Sequence, residues 1–269
     1  PVAINVVEKE IRNQTPVGGP AARIPGTVEA ENYDIGGQGV AYYDTDAGNK
    51  GNVYRSDDVD IHASSEGGYT VGWMELGEWL EYTVDISSAG AYNLDVRVAA
   101  PAAGGTFHIE CNGVDVTGPL QVPATGGWDI WASVTKTGVN LPAGKHVIRY
   151  VLDSKGERGY WGNLNAMHFT LPNVAPTVSI TAPSANAQFI QGENISITAN
   201  AADSDGSIAK VEFYNGTTLL GTDTTSPYSF AWSNLPVGNF TLTAKATDNK
   251  GTATASAPIA INVVEKEII

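Results

Sequence analysis

Apolar and polar residues alternate in short runs along most of the chain, and Gly, Pro and Asn separate the runs. Leu80, Tyr82, Val84 and Ile86 occupy every second position of one run, and residues 92–98 repeat the pattern. Successive side chains of a β-strand point to opposite faces, so this alternation predicts strands with one buried face. No long stretch repeats its apolar residues at helical spacing. The pattern therefore predicts an all-β protein.

Two segments without periodicity divide the chain. Residues 12–26 are rich in Pro and Gly, which is typical of a linker, and residues 171–178 carry two further prolines. We predict a strand plus linker over residues 1–23, a β-sandwich over 24–171 and a second β-sandwich over 172–269. Each sandwich is long enough to enclose a hydrophobic core.

The chain begins and nearly ends with the same eleven residues. Residues 1–11 read PVAINVVEKEI and residues 258–268 read PIAINVVEKEI, so only Val2 and Ile259 differ. The second copy is expected to supply the last strand of the second sandwich. We therefore expect residues 1–11 to be the last strand of a preceding, near-identical sandwich in a tandem array. In this chain they would be either disordered or added to another edge strand.

The charge balance limits the classes of partner. With 15 basic and 29 acidic side chains, the formal net charge is -14. Such a chain repels phosphate backbones, anionic lipid and sulfated or uronic polymers, so neither nucleic acid nor a membrane is expected as a partner. Neutral ligands and divalent cations are compatible with this negative charge. No apolar run reaches the length of a membrane span, and the single cysteine, Cys111, lies in an alternating run that predicts a buried thiol.

The last hundred residues carry the signals of an immunoglobulin-like sandwich. Roughly seven short strand patterns follow one another, and Asn215-Gly216 is a strong hairpin signal. One stretch closely resembles the bacterial immunoglobulin-like spacers of secreted polysaccharide-degrading enzymes: APTVSITAPSANAQFIQGENISITANAADSDGSIAKVEFYNG. This resemblance implies a secreted, extracellular protein.

The preceding sandwich carries a second set of motifs. In order, these are VEAENYD, VGWMELGEWLEY, GGW, LPAGKHVIR and NLN. They resemble the family 6 carbohydrate-binding modules, which are jelly-roll β-sandwiches. The inserted segment YYDTDAGNKGNVYRSDDVDIH resembles members attached to agar- and other galactan- or glucan-degrading enzymes.

A site for a neutral sugar needs flat aromatic faces against the CH groups and a few polar groups for the hydroxyls. The family resemblance implies a cleft among the loops at one end of the sandwich, formed by Trp73, Trp128 and Asn163. Trp131 is an alternative to Trp128, and Asn165 is an alternative to Asn163.

Further residues are candidates for the walls of this cleft. Trp161, beside Tyr160 in the loop GERGYWGN, is one, and Asp60 in the inserted segment is another. Tyr42, Tyr43 and Asp58 belong to the same insertion and are also candidates for the cleft lining. Trp79, in contrast, precedes an alternating strand and is predicted to lie in the core.

Two acidic residues suggest a cation site. Glu29 and Glu31 alternate on the predicted first strand, so both carboxylates would face the same side and repel each other unless a cation lies between them. Carboxylate and carbonyl oxygens suit Ca²⁺. The family resemblance implies a structural calcium held by both glutamates, loop carbonyls and a last-strand side chain. Here that side chain is Asn165 or a neighbour, where many relatives have Asp.

Catalytic patterns are missing. Glu78 and Glu81 have opposite strand parity, so they cannot flank one glycosidic bond from one face. The four histidines lack a partnered nucleophile and the HExxH spacing. The sequence thus predicts a non-catalytic module and spacer, excised from a secreted glycoside hydrolase such as an agarase. It would target a catalytic domain of the same parent chain to a neutral polysaccharide, agarose or a related galactan. A β-glucan or xylan ligand, or a purely structural adhesin segment, is the alternative.

Overall fold

The computed structural model describes residues 13–267, and nearly all regular structure in that part is β-strand. The all-β prediction is therefore confirmed. The chain forms two compact units, of which the first ends at Pro172 and the second begins at Asn173. The predicted strand over residues 1–11 lies outside the described residues.

The first unit is a sandwich of two sheets. One sheet has the strand order β1–β6–β12–β8–β10, with β3 beside β6 and β9 beside β8. The other has the order β11–β7–β13–β5–β4, with β2 beside β13. The strands are β1 (Ala22–Ile24), β2 (Gly26–Glu29), β3 (Tyr42–Tyr43), β4 (Ile61–Ala63), β5 (Tyr69–Val71), β6 (Trp79–Ile86), β7 (Gly90–Ala99), β8 (Thr106–Cys111), β9 (Val114–Asp115), β10 (Leu120–Gln121), β11 (Trp131–Leu141), β12 (Gly144–Leu152) and β13 (Asn163–Thr170).

The core of this unit lies between the two sheets. It receives the alternating residues of β6 and β7, so that Leu80 and Tyr82 are each 2% exposed and Tyr92 and Leu94 are fully buried. Burying one such apolar side chain contributes about 1.5–3 kcal/mol to stability. These strands therefore form where the sequence pattern predicts them.

Part of the predicted linker is instead built into the first unit. Ala22–Ile24 pairs in parallel with Val84–Ile86, and Ile24 is fully buried. Upstream, Thr15 forms an isolated bridge with Ile35. A strand of three residues next to Pro25 is too short to show an alternating pattern, which is why the sequence suggests a linker there.

The second unit is a smaller sandwich with its own core, centred on buried Phe213 and Leu242. Its sheets have the orders β14–β16–β19 and β15–β22–β20–β17–β18, with β21 beside β20. The strands are β14 (Thr177–Ala182), β15 (Ala187–Ile190), β16 (Ile195–Ala202), β17 (Ile208–Asn215), β18 (Thr218–Asp223), β19 (Tyr228–Trp232), β20 (Gly238–Asp248), β21 (Ala253–Ala255) and β22 (Ile259–Val264). The final strand β22 directs Ile261 and Val263 into the core, each 1% exposed. Across residues 13–267, the structure has no helix long and apolar enough to cross a membrane.

Candidate functional site

A cleft of about 450 Å³ opens at the loop end of the first sandwich. It is lined by His62, Trp73, Trp128, Asp129, Tyr160 and Asn163. His62 lies on β4, Trp73 follows β5, Trp128 and Asp129 precede β11, and Tyr160 and Asn163 flank the start of β13. Thus the three principal residues of the predicted cleft, Trp73, Trp128 and Asn163, are brought together.

Trp73 is presented by a strained turn. Its backbone has φ 49°, a left-handed conformation that costs free energy for a residue with a large side chain. The indole is 41% exposed and contacts the His62 ring edge-on, with centroids 5.2 Å apart. The preceding Gly72 is required because a Cβ there would lie 2.9 Å from Asn163 Oδ1 and 3.1 Å from the His62 ring.

Trp128 forms a second exposed indole. It follows Gly126 and Gly127 and is 40% exposed, and its ring meets the ring of Tyr160 edge-on at 6.0 Å. Tyr160 is itself 46% exposed. These rings leave large apolar surfaces open to solvent within one cleft, which marks a ligand site more often than a packing defect.

A buried amide supplies the polar part of the cleft. Asn163 is only 4% exposed, and its Nδ2 donates to Trp128 O at 2.8 Å and lies 3.2 Å from His62 Nε2. Aromatic faces beside a fixed amide are the groups that hold the CH face and the hydroxyls of a neutral pyranose. Asp129 is the one carboxylate among the six lining residues, and none of the six is Lys or Arg.

Trp161 does not line the cleft, contrary to the prediction. It is 1% exposed, and its ring packs edge-on against Phe107 and Tyr150, each at 5.4 Å. Gly159 and Gly162 have φ values of 84° and 141° and turn the chain on either side. The neighbouring Tyr160 therefore takes the outward position and Trp161 enters the core.

Asp60 does not line the cleft either. Its carboxylate is buried, 2% exposed for the residue, and accepts hydrogen bonds from Lys50 N at 2.6 Å and Lys50 Nζ at 2.9 Å. Tyr42, Tyr43 and Asp58 likewise lie outside the cleft lining. Asp60 instead ties the inserted segment to the start of β4.

The two alternative site residues that the sequence suggests, Trp131 and Asn165, both lie outside the cleft lining. Trp131 is half-buried on β11 and donates from Nε1 to Ser65 Oγ at 2.9 Å, outside the cleft lining. Asn165 donates from Nδ2 to Glu66 Oε2 at 3.3 Å, also outside the cleft lining.

His62 and Asp129 line the cleft although sequence reasoning did not select them. The sequence offers His62 only as a possible catalytic group, and it lacks a nucleophile partner. The signal available in the sequence is the position of Asp129 directly after Trp128.

The acidic pair lies at the end of β2 and does not alternate along one strand. Glu29 ends β2, whereas Glu31 belongs to a short 3₁₀ turn, Ala30–Asn32. Glu31 is 6% exposed; its Oε1 accepts from Tyr69 N at 3.3 Å, and its Oε2 is buried without a hydrogen-bond partner. Burial raises the pKa of Glu31, and the nearby charge of Glu29 raises it further. Burial also raises the pKa of Glu29.

The carboxylate pair lies beside the strand that carries Asn165. Asn165 precedes Ala166, the residue paired with Glu29, and while its Nδ2 donates to Glu66, its Oδ1 has no donor among the described residues. Within residues 13–267, no group of three or more His, Cys, Asp or Glu side chains could hold a metal ion. A cation at this position would therefore depend on the Asn165 amide and on backbone carbonyls in addition to the glutamates.

A two-sheet β-sandwich with an aromatic cleft at its loop end is an arrangement typical of carbohydrate-binding modules. Residues 51–171 match the model of the carbohydrate binding module (family 6), and residues 176–244 match that of a bacterial Ig domain. The first unit therefore belongs to family 6 of the carbohydrate-binding modules, and a bacterial Ig domain follows it. Neither matched family is a catalytic domain.

Two curated proteins are similar over part of their length. The clotting factor G alpha subunit of Tachypleus tridentatus is 32% identical over 145 residues, which are 52% of this chain and 20% of that protein. An isomaltosyltransferase of Sporosarcina globispora is 31% identical over 99 residues, 36% of this chain and 9% of that protein. The chain thus spans a fifth or less of these relatives.

Two solved structures are similar to the first unit. The C-terminal family 6 module of a marine laminarinase from Zobellia galactanivorans is 30% identical, with a TM-score of 0.41, and the match covers 54% of this chain and 98% of that one. A module of lichenase 5A from Cellvibrio mixtus, solved in complex with cellotriose, is 28% identical, with a TM-score of 0.41 and coverage of 55% and 98%.

Proposed function

We propose that the first unit binds a neutral polysaccharide in the cleft formed by Trp73, Trp128 and Asn163. The observation that carries the proposal is the pair of indoles, 41% and 40% exposed, that open into one cleft beside a buried amide. A pyranose ring covers such apolar surface with its CH face, while the amide oxygen accepts from a hydroxyl.

The ligand is proposed to be uncharged. The whole chain carries a net charge of -14, and the cleft itself contains Asp129 without a lysine or arginine in its lining. Sulfated and uronic polymers would be repelled at long range and would find no cationic partner in the cleft.

Agarose or a related galactan is the first candidate, because the inserted segment 42–62 resembles that of modules from agar-degrading enzymes. A β-glucan is the second candidate, since the same segment resembles modules from glucan-degrading enzymes. Xylan is a further neutral polymer to be tested.

The module would act by tethering. Both matched families are typical of extracellular proteins, and we propose that the parent protein is a secreted glycoside hydrolase, such as an agarase, with its catalytic domain in the same chain. Holding that domain near an insoluble polymer raises its local concentration and so increases the rate of degradation without any chemistry in the module.

A retention assay tests the function directly. The chain is applied to agarose, laminarin, lichenan, xylan and cellulose, with a sulfated galactan as the charged control. We expect retention by at least one neutral polymer and none by the sulfated one at moderate salt. Failure of every neutral polymer to retain the chain would contradict the proposal, and release of reducing sugar would contradict a purely binding role.

We also propose a structural calcium ion at Glu29 and Glu31. The unpartnered buried Oε2 of Glu31 and the neighbouring Glu29 carboxylate are the supporting observations. The two carboxylates, the Asn165 amide oxygen and backbone carbonyls would hold the ion, which would neutralise the repulsion between the glutamates.

Calcium is expected to stabilise the first unit. A ligand that binds only the folded state adds about 2.7 kcal/mol at a hundredfold excess over its Kd. The melting temperature should therefore rise with CaCl₂ and fall with a chelator, and Glu31→Gln should abolish the difference. Glu157→Gln, an exposed loop variant, should retain it. If the melting temperature of the unmodified chain changes with neither CaCl₂ nor chelator, the proposed calcium site is contradicted.

A further inference from the structure

His62 lies in a chain of hydrogen bonds that ends at a backbone carbonyl on each side. Its Nδ1 is 3.1 Å from Ala63 O, and its Nε2 is 3.2 Å from Asn163 Nδ2. The same Nδ2 is 2.8 Å from Trp128 O. A carbonyl can only accept, so Ala63 O requires the proton on Nδ1 and Trp128 O requires the amide nitrogen to face it. His62 Nε2 is therefore the acceptor of the second Asn163 N–H, a role that only an imidazole with its single proton on Nδ1 can take.

This arrangement decides which amide atom remains for a ligand. Both hydrogens of Asn163 Nδ2 are used, one by Trp128 O and one by His62. Among the described residues no donor is assigned to Asn163 Oδ1, which is thus left to accept from a sugar hydroxyl. The His62 ring also contacts the Trp73 indole edge-on. One imidazole therefore contacts two of the proposed binding residues.

A second proton on His62 would break this chain. Nε2–H would then face Asn163 Nδ2–H, and two donors cannot bond to each other. The amide would have to rotate, which removes its bond to Trp128 O and turns the wrong atom toward the ligand. Histidine is the side chain that changes charge between about pH 5 and 8 in its ordinary state.

We propose that neutral His62 is a positioning residue that orients the Asn163 amide for the glycan, and that its protonation weakens binding in mildly acidic solution. This inference rests on the proposed function of the cleft.

The other charged and titratable groups near His62 come from three segments. The loop before β11 contributes Asp129, and the loop before β13 contributes Tyr160. On its own segment Asp60 is engaged by Lys50, so Asp129 is the carboxylate that lines the cleft together with His62.

Titration calorimetry with an oligosaccharide of the retained polymer, from about pH 8 to about pH 5, tests the proposal. The Kd of the unmodified chain should rise roughly tenfold toward acid, the effect of losing about one hydrogen bond. In His62→Gln the amide oxygen can accept from Asn163 and does not titrate, so the affinity that the variant has at pH 8 should not change as the pH falls.

His146→Gln is the matched control, because His146 bonds to Asn112 and Ala143 O and is not part of the cleft. It should keep the pH dependence of the unmodified chain. A flat profile for the unmodified chain, or a His62→Gln profile as steep as the original, would overturn the proposal.

A ligand-free measurement separates this inference from the proposed function. In NMR spectra of the free protein, the Asn163 side-chain amide signals should shift in step with the titration of the His62 ring. Amide signals that stay fixed while His62 titrates would overturn the inference even if the cleft binds glycan. Retention by no polymer at any pH would overturn the proposed function, whereas coupled shifts would still support the positioning of Asn163 by His62.

Discussion

At the scale of single residues, tryptophans differ sharply in what they do. Trp161 is 1% exposed and fills the core against Phe107 and Tyr150, whereas Trp73 and Trp128 are 41% and 40% exposed. Burial of Trp161 yields stability, while the exposed surface of the other two remains available for a ligand. Whether a tryptophan lies in the core or in the cleft thus follows from side-chain direction and not from residue type.

Replacing Trp128 by alanine should weaken binding without unfolding the module. Loss of one aromatic face should cost about 1–3 kcal/mol of binding free energy. The fold should persist because the indole is 40% exposed and because the backbone carbonyl of residue 128 still accepts from Asn163. Calorimetry and thermal melting of the same preparation measure the two effects separately.

Tyr43→Ala is the control for this variant. Tyr43 is 43% exposed on β3 and is absent from the cleft lining, so its removal should leave the affinity unchanged. Affinity lost in Tyr43→Ala but kept in Trp128→Ala would place the binding site elsewhere on the module.

The sequence could place Trp73, Trp128 and Asn163 in one cleft because each stands in a motif that resembles the family 6 modules. It could not place Trp161 or Asp60. In an irregular loop no period sets which way a side chain points, so adjacent Tyr160 and Trp161 looked equivalent. The burial of Asp60 depends on Lys50, ten residues away in a segment without a pattern.

At the scale of elements, the segment between β3 and β4 gathers carboxylates in a partly buried cluster with Glu78 of the β5–β6 loop. Asp44 is 8% exposed, Glu78 5% and Asp60 2%. Lys50 Nζ bridges Asp60 and Asp46. Burial raises the pKa of Asp44 to about 7, and the charges of Glu78, Asp60 and Asp46 add to the shift. The segment therefore binds a proton more tightly when folded than when unfolded.

The raised pKa of Asp44 makes the stability of the folded chain depend on pH. Between about pH 4 and 7, the folded state holds the Asp44 proton and the unfolded state does not, so stability from this group falls as pH rises. Asp44→Asn should flatten this slope and stabilise the chain at about pH 8. Urea unfolding at several pH values measures how the unfolding free energy changes with pH. The control variant Asp85→Asn on β6 should leave that pH dependence unchanged. An unchanged slope in Asp44→Asn would contradict the assignment.

Long alternating strands such as β6, β7 and β22 could be predicted, because two faces in different environments impose a period of two. The short strand β1 and the 3₁₀ turn after β2 could not. Three residues are too few for a period, and Glu31 at i+2 from Glu29 reads equally well as strand or turn.

At the scale of the whole molecule, the chain consists of two units with separate cores. The first carries the cleft, and the second matches the model of a bacterial Ig domain. Motif order allowed both folds to be predicted, since each motif marks a strand or loop of a known sandwich. The ligand could not be predicted to the same degree, because neutral sugars differ in hydroxyl orientation, which no local motif encodes.

One NMR titration tests the central claim most directly. The chain has six tryptophans, each with one indole N–H signal, and an oligosaccharide of the retained polymer is added stepwise. The account predicts that the signals of Trp73 and Trp128 shift with a common affinity while those of Trp161 and Trp232 stay fixed. Saturable binding that leaves the Trp73 and Trp128 signals unmoved would contradict it.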